Sequence, residues 1–348
     1  MKKFWALLLA MMLVFTMVAG CGGGAEEPAP PPANGDEEPA PEPEQPIRVG
    51  LLLPGEISDM GWNASGYEAL LAVQEQYGAE ISYTESVTQS DMEEVFRSYA
   101  IEGYDVIFGH GFEFGDFAER VAADFPDTKF VVASSELHNP DLPNLASGRI
   151  LNEYQGFVAG ALAALLTETG TVGFIGGHEI PPIRRSIQGA IVGARYVNPD
   201  INIQATLTGS GTDVAAAKET ALAMVDAGAD VLFANANQAG LGPIEAAAET
   251  GVWSIGSNQD QNPFAPDHVV QSVLQINEKL YTYIVGEVIA GTFEGRFYGI
   301  GIDEGGVTLA PSWHGFDEQF PEVKEAIEEI MAGLADGSIT FEYADITF

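Results

Sequence analysis

Apolar and polar residues alternate along the chain in blocks that predict strands followed by helices. Residues 47–53 form a short apolar run that ends at Pro54-Gly55, as expected for a buried strand. Residues 62–76 then carry apolar side chains at the three- and four-residue spacing of a helix. The alternation continues, and it predicts later strands over 81–84, 105–108, 129–133 and about 146–151.

A second strand–helix series begins with a predicted helix over 154–166 and ends with a predicted strand over 252–255. Alternation of this kind is typical of βαβ units and predicts an α/β fold. Two series of similar length indicate two similar lobes, each with a mainly parallel sheet flanked by helices.

The segment after about residue 268 has further strand and helix patterns but is too short for a third domain. We expect it to complete both lobes, which makes the connection between them multi-stranded and suited to a hinge. The N-terminal lobe then comprises residues 47–152 plus about 275–303, and the C-terminal lobe comprises 153–274 plus about 304–348.

The first part of the chain predicts a leader rather than a fold. A basic start and an apolar run precede Ala19-Gly20-Cys21, which holds the chain's one cysteine. The pattern predicts a secretory signal peptide over 1–20, although the apolar run also approaches the length of a transmembrane anchor. Residues 21–46 are rich in Pro and Glu and hold no residue able to build a core, so we expect a disordered tether.

Composition and charge exclude several classes of function. The 348 residues have a formal net charge of -37, with 14 Lys and Arg against 51 Asp and Glu. Nucleic-acid binding needs clustered cations, so we expect no nucleic-acid partner. One cysteine rules out a disulfide framework, and the five histidines show no metal-ligand spacing. We expect a monomer with no cofactor and no metal.

Ligands of open parallel sheets bind beyond the carboxyl ends of the strands, so the segments after the predicted strands form the candidate site. They hold aromatic side chains and neutral amides and almost no Lys or Arg. Aromatic faces stack on flat rings while amides bond to ring edges, which favours a flat, neutral ligand. Each residue alone could equally be a core residue or part of a solvated loop. The candidate ligand-binding residues are Asp59, Trp62, Asn63, His110, Phe112, Phe114, His178, Asn235, Asn237, Gln238, Asn258, Asp260 and Gln275.

Sequence motifs for catalysis are missing. The chain has no GxxxxGK[ST] phosphate loop and no HExxH pair. The glycines at 109, 111 and 115 follow a predicted strand, but their spacing is one residue too long for a dinucleotide fingerprint. We therefore expect a binding protein rather than an enzyme.

Several short motifs follow one another in order between Arg48 and Ala310. They are Asp59-Met60-Gly61-Trp62-Asn63, Gly109-His110-Gly111-Phe112, Phe174-Ile175-Gly176-Gly177 and Asn258-Gln259-Asp260-Gln261. The segment Ala19-Gly20-Cys21 resembles a bacterial lipobox. Together these motifs resemble the basic membrane protein family of substrate-binding proteins, typified by the purine nucleoside receptor lipoproteins of ABC transporters.

The resemblance implies a type I periplasmic-binding-protein clamshell that delivers a purine base or nucleoside to an ABC transporter permease. It also implies a lipid on Cys21 that anchors the protein to the extracytoplasmic face of the cell membrane. By position, Trp62 replaces the family's stacking Phe, and Asn63 contacts the base. The family's ribose-binding Asp and Lys are replaced by Asn258 and Gln275, so a free base or another flat polar ligand stays open beside the nucleoside. A ligand-sensing receptor and a lipid-anchored hydrolase are the alternatives.

We predict that changing Cys21→Ser abolishes lipid labelling and releases the protein from membranes, because the thiol is the acceptor of the lipid in a lipobox. Metabolic labelling with a radioactive fatty acid, followed by membrane fractionation, measures both effects. A fatty-acid label that persists on the Ser variant contradicts the assignment.

Overall fold

The computed structural model describes residues 46–59 and 61–348. The predicted signal peptide over 1–20, Cys21 and the predicted tether as far as residue 45 lie outside the described residues. Within the described ranges, every helix is too short or too polar to cross a membrane.

Strands and helices alternate in the predicted order. The first series is β1 (Arg48–Leu52), α1 (Trp62–Tyr77), β2 (Glu80–Thr84), α2 (Met92–Ile101), β3 (Val106–His110), α3 (Gly115–Ala122), β4 (Lys129–Ala133) and β5 (Leu145–Ile150). The second is α4 (Asn152–Leu166), β6 (Thr171–Gly176), α5 (Pro181–Val197), β7 (Asn202–Leu207), α6 (Val214–Asp226), β8 (Val231–Asn235), α7 (Leu241–Thr250), β9 (Trp253–Asn258) and β10 (Val269–Gln275). The tail is α8 (Asn277–Ala290), β11 (Phe297–Ile300), β12 (Val307–Leu309), α9 (Phe316–Gln319) and α10 (Pro321–Ala335).

The strands form two six-stranded sheets. The first has the order β11-β5-β4-β3-β1-β2 with parallel pairing, and helices α1, α2, α3 and α8 pack on it. The second has the order β12-β10-β9-β8-β6-β7, with β12 antiparallel to β10, and helices α4 to α7 pack on it. The predicted α/β fold, with two mainly parallel sheets flanked by helices, is confirmed.

The chain passes between the two sheets at three places that lie side by side. They are Leu151 after β5, Ile276 after β10, and residues 301–306 between β11 and β12. The Leu151 N–H donates to the Ile300 carbonyl at 3.0 Å, and the Ile276 N–H donates to the Gly306 carbonyl at 2.8 Å. Short connections gathered in this way are the positions where a hinge between two lobes acts.

Two strands extend two or three residues beyond their predicted ends, and both extensions bear on the site. β3 continues past residue 108 to His110, because His110 is still paired with Ala133 of β4. β9 continues past residue 255 to Asn258, which is paired with Leu274 of β10. His110 and Asn258 therefore belong to strands and not to loops.

Helices α4 and α5 cross with their backbones in contact. A Cβ added at Gly160 would lie 1.9 Å from the carbonyl oxygen of Ala190, and one at Gly193 would lie 2.0 Å from that of Phe157. The backbones approach this closely because these positions have no side chain. The crossing holds the start of α4, whose first residue, Asn152, lines the cavity described below.

We predict that Gly160→Ala destabilises the protein by about 1–3 kcal/mol, because the new methyl group must push the two helices apart. In an isolated helix the same change is stabilising by up to about 1 kcal/mol. A loss of stability in this protein therefore indicates that the close contact between the two helices has been disturbed. Gly115→Ala in α3 is the matched control, since the nearest atom to its Cβ is 3.9 Å away. Urea unfolding measures both changes, and equal stabilities for the two variants contradict this account of the packing.

Candidate functional site

A cavity of about 300 Å³ lies between the carboxyl ends of the strands of both sheets. Strands β8, β9 and β10 contribute their last residues. The remaining wall comes from the loops after β1, β3, β4, β6, β7 and β8 and from the starts of α1, α4 and α5. Its volume is at the lower end of the range for small-molecule pockets, which favours a compact ligand. Eight of the predicted residues line it: Trp62, Asn63, Phe112, His178, Asn235, Asn237, Asn258 and Gln275.

Asp59 lies just before α1 and does not line the cavity itself. Its carboxylate accepts hydrogen bonds from the backbone N–H groups of Gly61, Asn63 and Ala64 at 2.9–3.0 Å. It also accepts one from the Asn63 side chain at 2.7 Å. A carboxylate at this place satisfies the free N–H groups of the first helical turn and complements the helix dipole. Asp59 therefore positions the residues at the start of α1, including Trp62.

Trp62 and His110 hold each other through two reciprocal hydrogen bonds. The indole N–H donates to the His110 carbonyl at 3.1 Å, and Nε2 of His110 lies 2.8 Å from the Trp62 carbonyl. The two rings stack with centroids 3.9 Å apart and planes inclined by 15°. Because a carbonyl only accepts, Nε2 must carry the hydrogen, and Nδ1 then accepts from the Tyr281 hydroxyl at 2.6 Å. The indole ring in the cavity wall is thereby held in one orientation.

His110 is fully buried, and burial lowers its pKa to about 4. The hydrogen bond to the Trp62 carbonyl and the nearby charge of Asp59 oppose this shift. His110 is therefore neutral at physiological pH, the state in which its Nδ1 accepts from the Tyr281 hydroxyl.

Buried carboxamides form the floor of the cavity. Gln155, which is fully buried in α4, is the centre of the group. Its Nε2 donates to Asn258 Oδ1 and to the Val273 carbonyl, both at 3.0 Å. Its Oε1 accepts from Asn235 Nδ2 at 3.0 Å and from Gln275 Nε2 at 2.6 Å. Side chains from one helix and three strands are thus joined without a formal charge.

The described cavity wall contains no Lys or Arg, and its ionisable groups are Glu113 and His178. Glu113 is exposed, although the protein atoms around its carboxyl displace part of the water and raise its pKa. Nε2 of His178 accepts a hydrogen bond from the Gly211 N–H at 3.1 Å. Such a wall suits a neutral ligand with several hydrogen-bonding groups.

Contacts between the two lobes close the cleft around the cavity. The backbone N–H of Trp62 donates to Asn237 Oδ1 at 3.0 Å. The Arg185 side chain forms a salt bridge with Glu136 at 2.6 Å. Gln259 also donates to Glu68, at 3.3 Å. Each partly exposed contact contributes little by itself, so a ligand that touches both lobes can decide between open and closed arrangements.

The other predicted residues do not line this cavity. Asp59 and His110 lie behind Trp62, as described above. Phe114 is fully buried in the first lobe, where its ring meets Phe96 edge to face. Gln238 is exposed, because it lies in the 3-10 turn after β8. Asp260 pairs with His314 at 2.8 Å outside the cavity.

Sequence reasoning missed several residues of the wall and floor, above all Asn152 and Gln155. Both lie in the first turn of α4 together with Glu153, before the apolar stretch over 156–166. Polar residues at the start of an apolar helix that directly follows a strand were the available signal. The predicted helix start at residue 154 left Asn152 in a loop, where an asparagine needs no explanation.

A neutral, partly aromatic cavity between two parallel-sheet lobes is typical of a small-molecule binding protein. Residues 47–334 match the family model Bmp, described as ABC transporter substrate-binding protein PnrA-like. The chain belongs to this family, which confirms the resemblance found in the sequence motifs. Substrate-binding proteins of ABC transporters act outside the cytoplasm, bind small ligands and interact with permeases.

The relatives carry different functional names. The transcriptional activator protein med from Bacillus subtilis strain 168 is 29% identical over 276 residues, which cover 79% of this chain and 85% of the relative. The ABC transporter nucleoside-binding protein BmpA from Lactococcus lactis subsp. cremoris MG1363 is 29% identical over 306 residues, covering 82% and 85%. A crystal structure of an ABC transporter solute-binding protein from Aeropyrum pernix K1 matches with a TM-score of 0.76 at 22% identity, covering 86% of this chain and 94% of that one. This structural match supports the fold.

We predict that His110 makes stability fall as the pH is lowered from about 6.5 to about 4. Its pKa is lower in the folded protein than the ordinary value of 6.5, so its contribution is complete above pH 6.5. Protonation of the unfolded chain removes up to about 3 kcal/mol across this window.

Urea unfolding at several pH values, with His110→Gln compared with the wild type, measures this contribution. The variant should have a flatter slope between pH 6.5 and pH 4. The exposed His138→Gln is the control and should keep the wild-type slope. A wild-type slope in His110→Gln contradicts the neutral buried histidine.

Proposed function

We propose that this protein is a lipid-anchored solute-binding protein that captures a flat, neutral heterocycle, a purine base or nucleoside, and presents it to the permease of an ABC transporter. The observation that carries the proposal is Trp62, an indole held in a fixed orientation within an amide-rich wall that holds no cation and one carboxyl, that of Glu113. The nucleoside-binding name of the Lactococcus lactis relative supports the same ligand class.

Binding with closure is the proposed mechanism, without chemical change of the ligand. The walls of the cavity come from both lobes, so a ligand gains its full set of contacts only when the cleft is closed. The difference in affinity between the two states drives closure, and the closed surface is what a permease recognises. The proposed anchor is the lipid on Cys21, and the proposed tether over 21–46 lets the body reach the permease.

A ligand-sensing receptor is the second candidate, favoured by the relative named as a transcriptional activator. The two candidates predict the same binding site but different partners. Cross-linking in intact membranes, followed by mass spectrometry, distinguishes them, because the transporter function requires a permease among the partners. Conversion of the added ligand to a product would instead favour the hydrolase alternative.

We predict that Trp62→Ala weakens purine binding by about 1–3 kcal/mol, the value of one base–aromatic stack. Trp62→Phe is the matched control, because it keeps an aromatic face and should lose less. A free base should bind about as well as its nucleoside, since Gln275, in place of the family's lysine, is bonded to Asn152 and Gln155.

Calorimetry with adenine, guanine, hypoxanthine and their nucleosides measures these affinities. The purine assignment is wrong if none of the six compounds binds to the wild type. A nucleoside that binds far more tightly than its base contradicts the argument from the neutral residues.

A further inference from the structure

Asn152 differs from the other buried polar side chains that the structure describes, because one of its polar atoms has no hydrogen-bond partner. It lines the cavity at the first turn of α4 and is 5% exposed. Its Nδ2 donates to Gln275 Oε1 at 3.1 Å, but no protein donor reaches its Oδ1. Among the buried side-chain nitrogen and oxygen atoms of residues 46–59 and 61–348, this oxygen is the one without a hydrogen-bond partner.

The orientation of the Asn152 amide follows from a backbone group two residues before the end of β10. The Val273 carbonyl can only accept, so the group that faces it on Gln155 must be Nε2. Gln155 Oε1 therefore faces Gln275, which must present its own Nε2 there. Gln275 Oε1 in turn faces Asn152, which must present Nδ2. Oδ1 of Asn152 is left as an acceptor.

Turning any one of these amides around brings two like groups together. Reversal of Asn152 puts Oδ1 against Gln275 Oε1, and reversal of Gln275 puts its oxygen against that of Gln155. Reversal of Gln155 puts its oxygen against the Val273 carbonyl. Oxygen atoms at hydrogen-bond distance repel, and the displaced N–H groups lose their acceptors, so the arrangement has a single polarity.

At the other end of the same chain of hydrogen bonds, the group left for a ligand is a donor and not an acceptor. Asn258 accepts from Gln155 through Oδ1, so its Nδ2 is left as a donor in the cavity wall. Asn258 has a positive φ of 69°, a backbone conformation that asparagine tolerates better than most residues. The floor thus offers an acceptor at Asn152 and a donor at Asn258, with both orientations set by Gln155.

We propose that the ligand is a neutral molecule that donates an N–H or O–H hydrogen bond to Asn152 Oδ1 and accepts one from Asn258 Nδ2. This inference rests on the proposed function, because it describes the same cavity. A ligand with a carbonyl or an anionic group at Asn152 would face an oxygen and leave it unpaired. A ring N–H of a free base and a hydroxyl of a ribose both supply the required donor, and the experiment separates them.

The test compares pairs of ligands that differ in one donor. One arm uses purine and pyrimidine bases, each with the derivatives methylated at one ring nitrogen. The other arm uses ribonucleosides and their 2′-, 3′- and 5′-deoxy analogues. Calorimetry should show that loss of one particular donor weakens binding at least about 10-fold, whereas loss of the others has smaller effects, because only that donor satisfies a buried acceptor. The arm in which the loss occurs identifies the source of the donor.

Asn152→Ala should remove this discrimination, so that both members of the sensitive pair bind with similar affinity. Asn237→Ala, which also changes an amide of the wall, is the matched control and should weaken both members while keeping their ratio. Melting temperatures establish that each variant is folded. If Asn152→Ala does not fold, Asn152→Leu is used, which is similar in size to asparagine, also removes the acceptor oxygen and should also remove the discrimination.

Two results overturn the inference: a wild type that binds both members of every pair equally, or a folded Asn152→Ala or Asn152→Leu variant that keeps the full discrimination. If no heterocycle binds, the proposed function fails separately. The ligand that co-purifies with the protein is then identified by mass spectrometry, and a compound without an N–H or O–H group overturns the donor assignment as well.

Discussion

The hydrogen bond from Gln155 to the Val273 carbonyl is the interaction on which the organisation of the site depends. It sets the orientation of one fully buried amide, and that amide bonds to side chains from the ends of β8, β9 and β10. An amide in this place has four hydrogen-bonding positions, and here all its neighbours are neutral. The result is a rigid floor that presents a defined acceptor and a defined donor without the cost of burying a charge.

The wall built by Trp62 depends on a second buried group. His110 at the end of β3 stacks on the indole and is bonded to Tyr281 of α8, the helix that directly follows the crossing at Ile276. Trp62 also bonds through its backbone to Asn237 of the other lobe. The aromatic wall is therefore joined to the first sheet, to an element beside the crossing segments and to the opposite lobe, so ligand contact and lobe position are coupled.

The chain as a whole is strongly acidic, whereas its cavity wall holds few charged groups. The chain has a formal net charge of -37, yet the described cavity wall includes no cation and one carboxyl, that of Glu113. The acidic residues of the described ranges are exposed or half-buried except for Glu153, so salt screens the repulsion between them. A strongly acidic sequence is thus compatible with a site for a neutral ligand, and net charge alone says little about the ligand of such a protein.

The sequence by itself determined the order of strands and helices, the two-lobed α/β class and the family, because hydrophobic periodicity and short motifs are local. It also assigned Trp62, Asn235 and Asn258 to one candidate site, since parallel strands bring their carboxyl ends together, although Trp62 begins α1 and Asn258 ends β9. Only the tertiary structure decided that His110 supports the wall from behind and that Gln155 is the centre of the floor. The orientation of an amide depends on which backbone carbonyl faces it, and Val273 meets Gln155 only when a strand more than a hundred residues away packs against α4. The unpaired oxygen of Asn152 follows from that packing, so no local pattern in the sequence could reveal it.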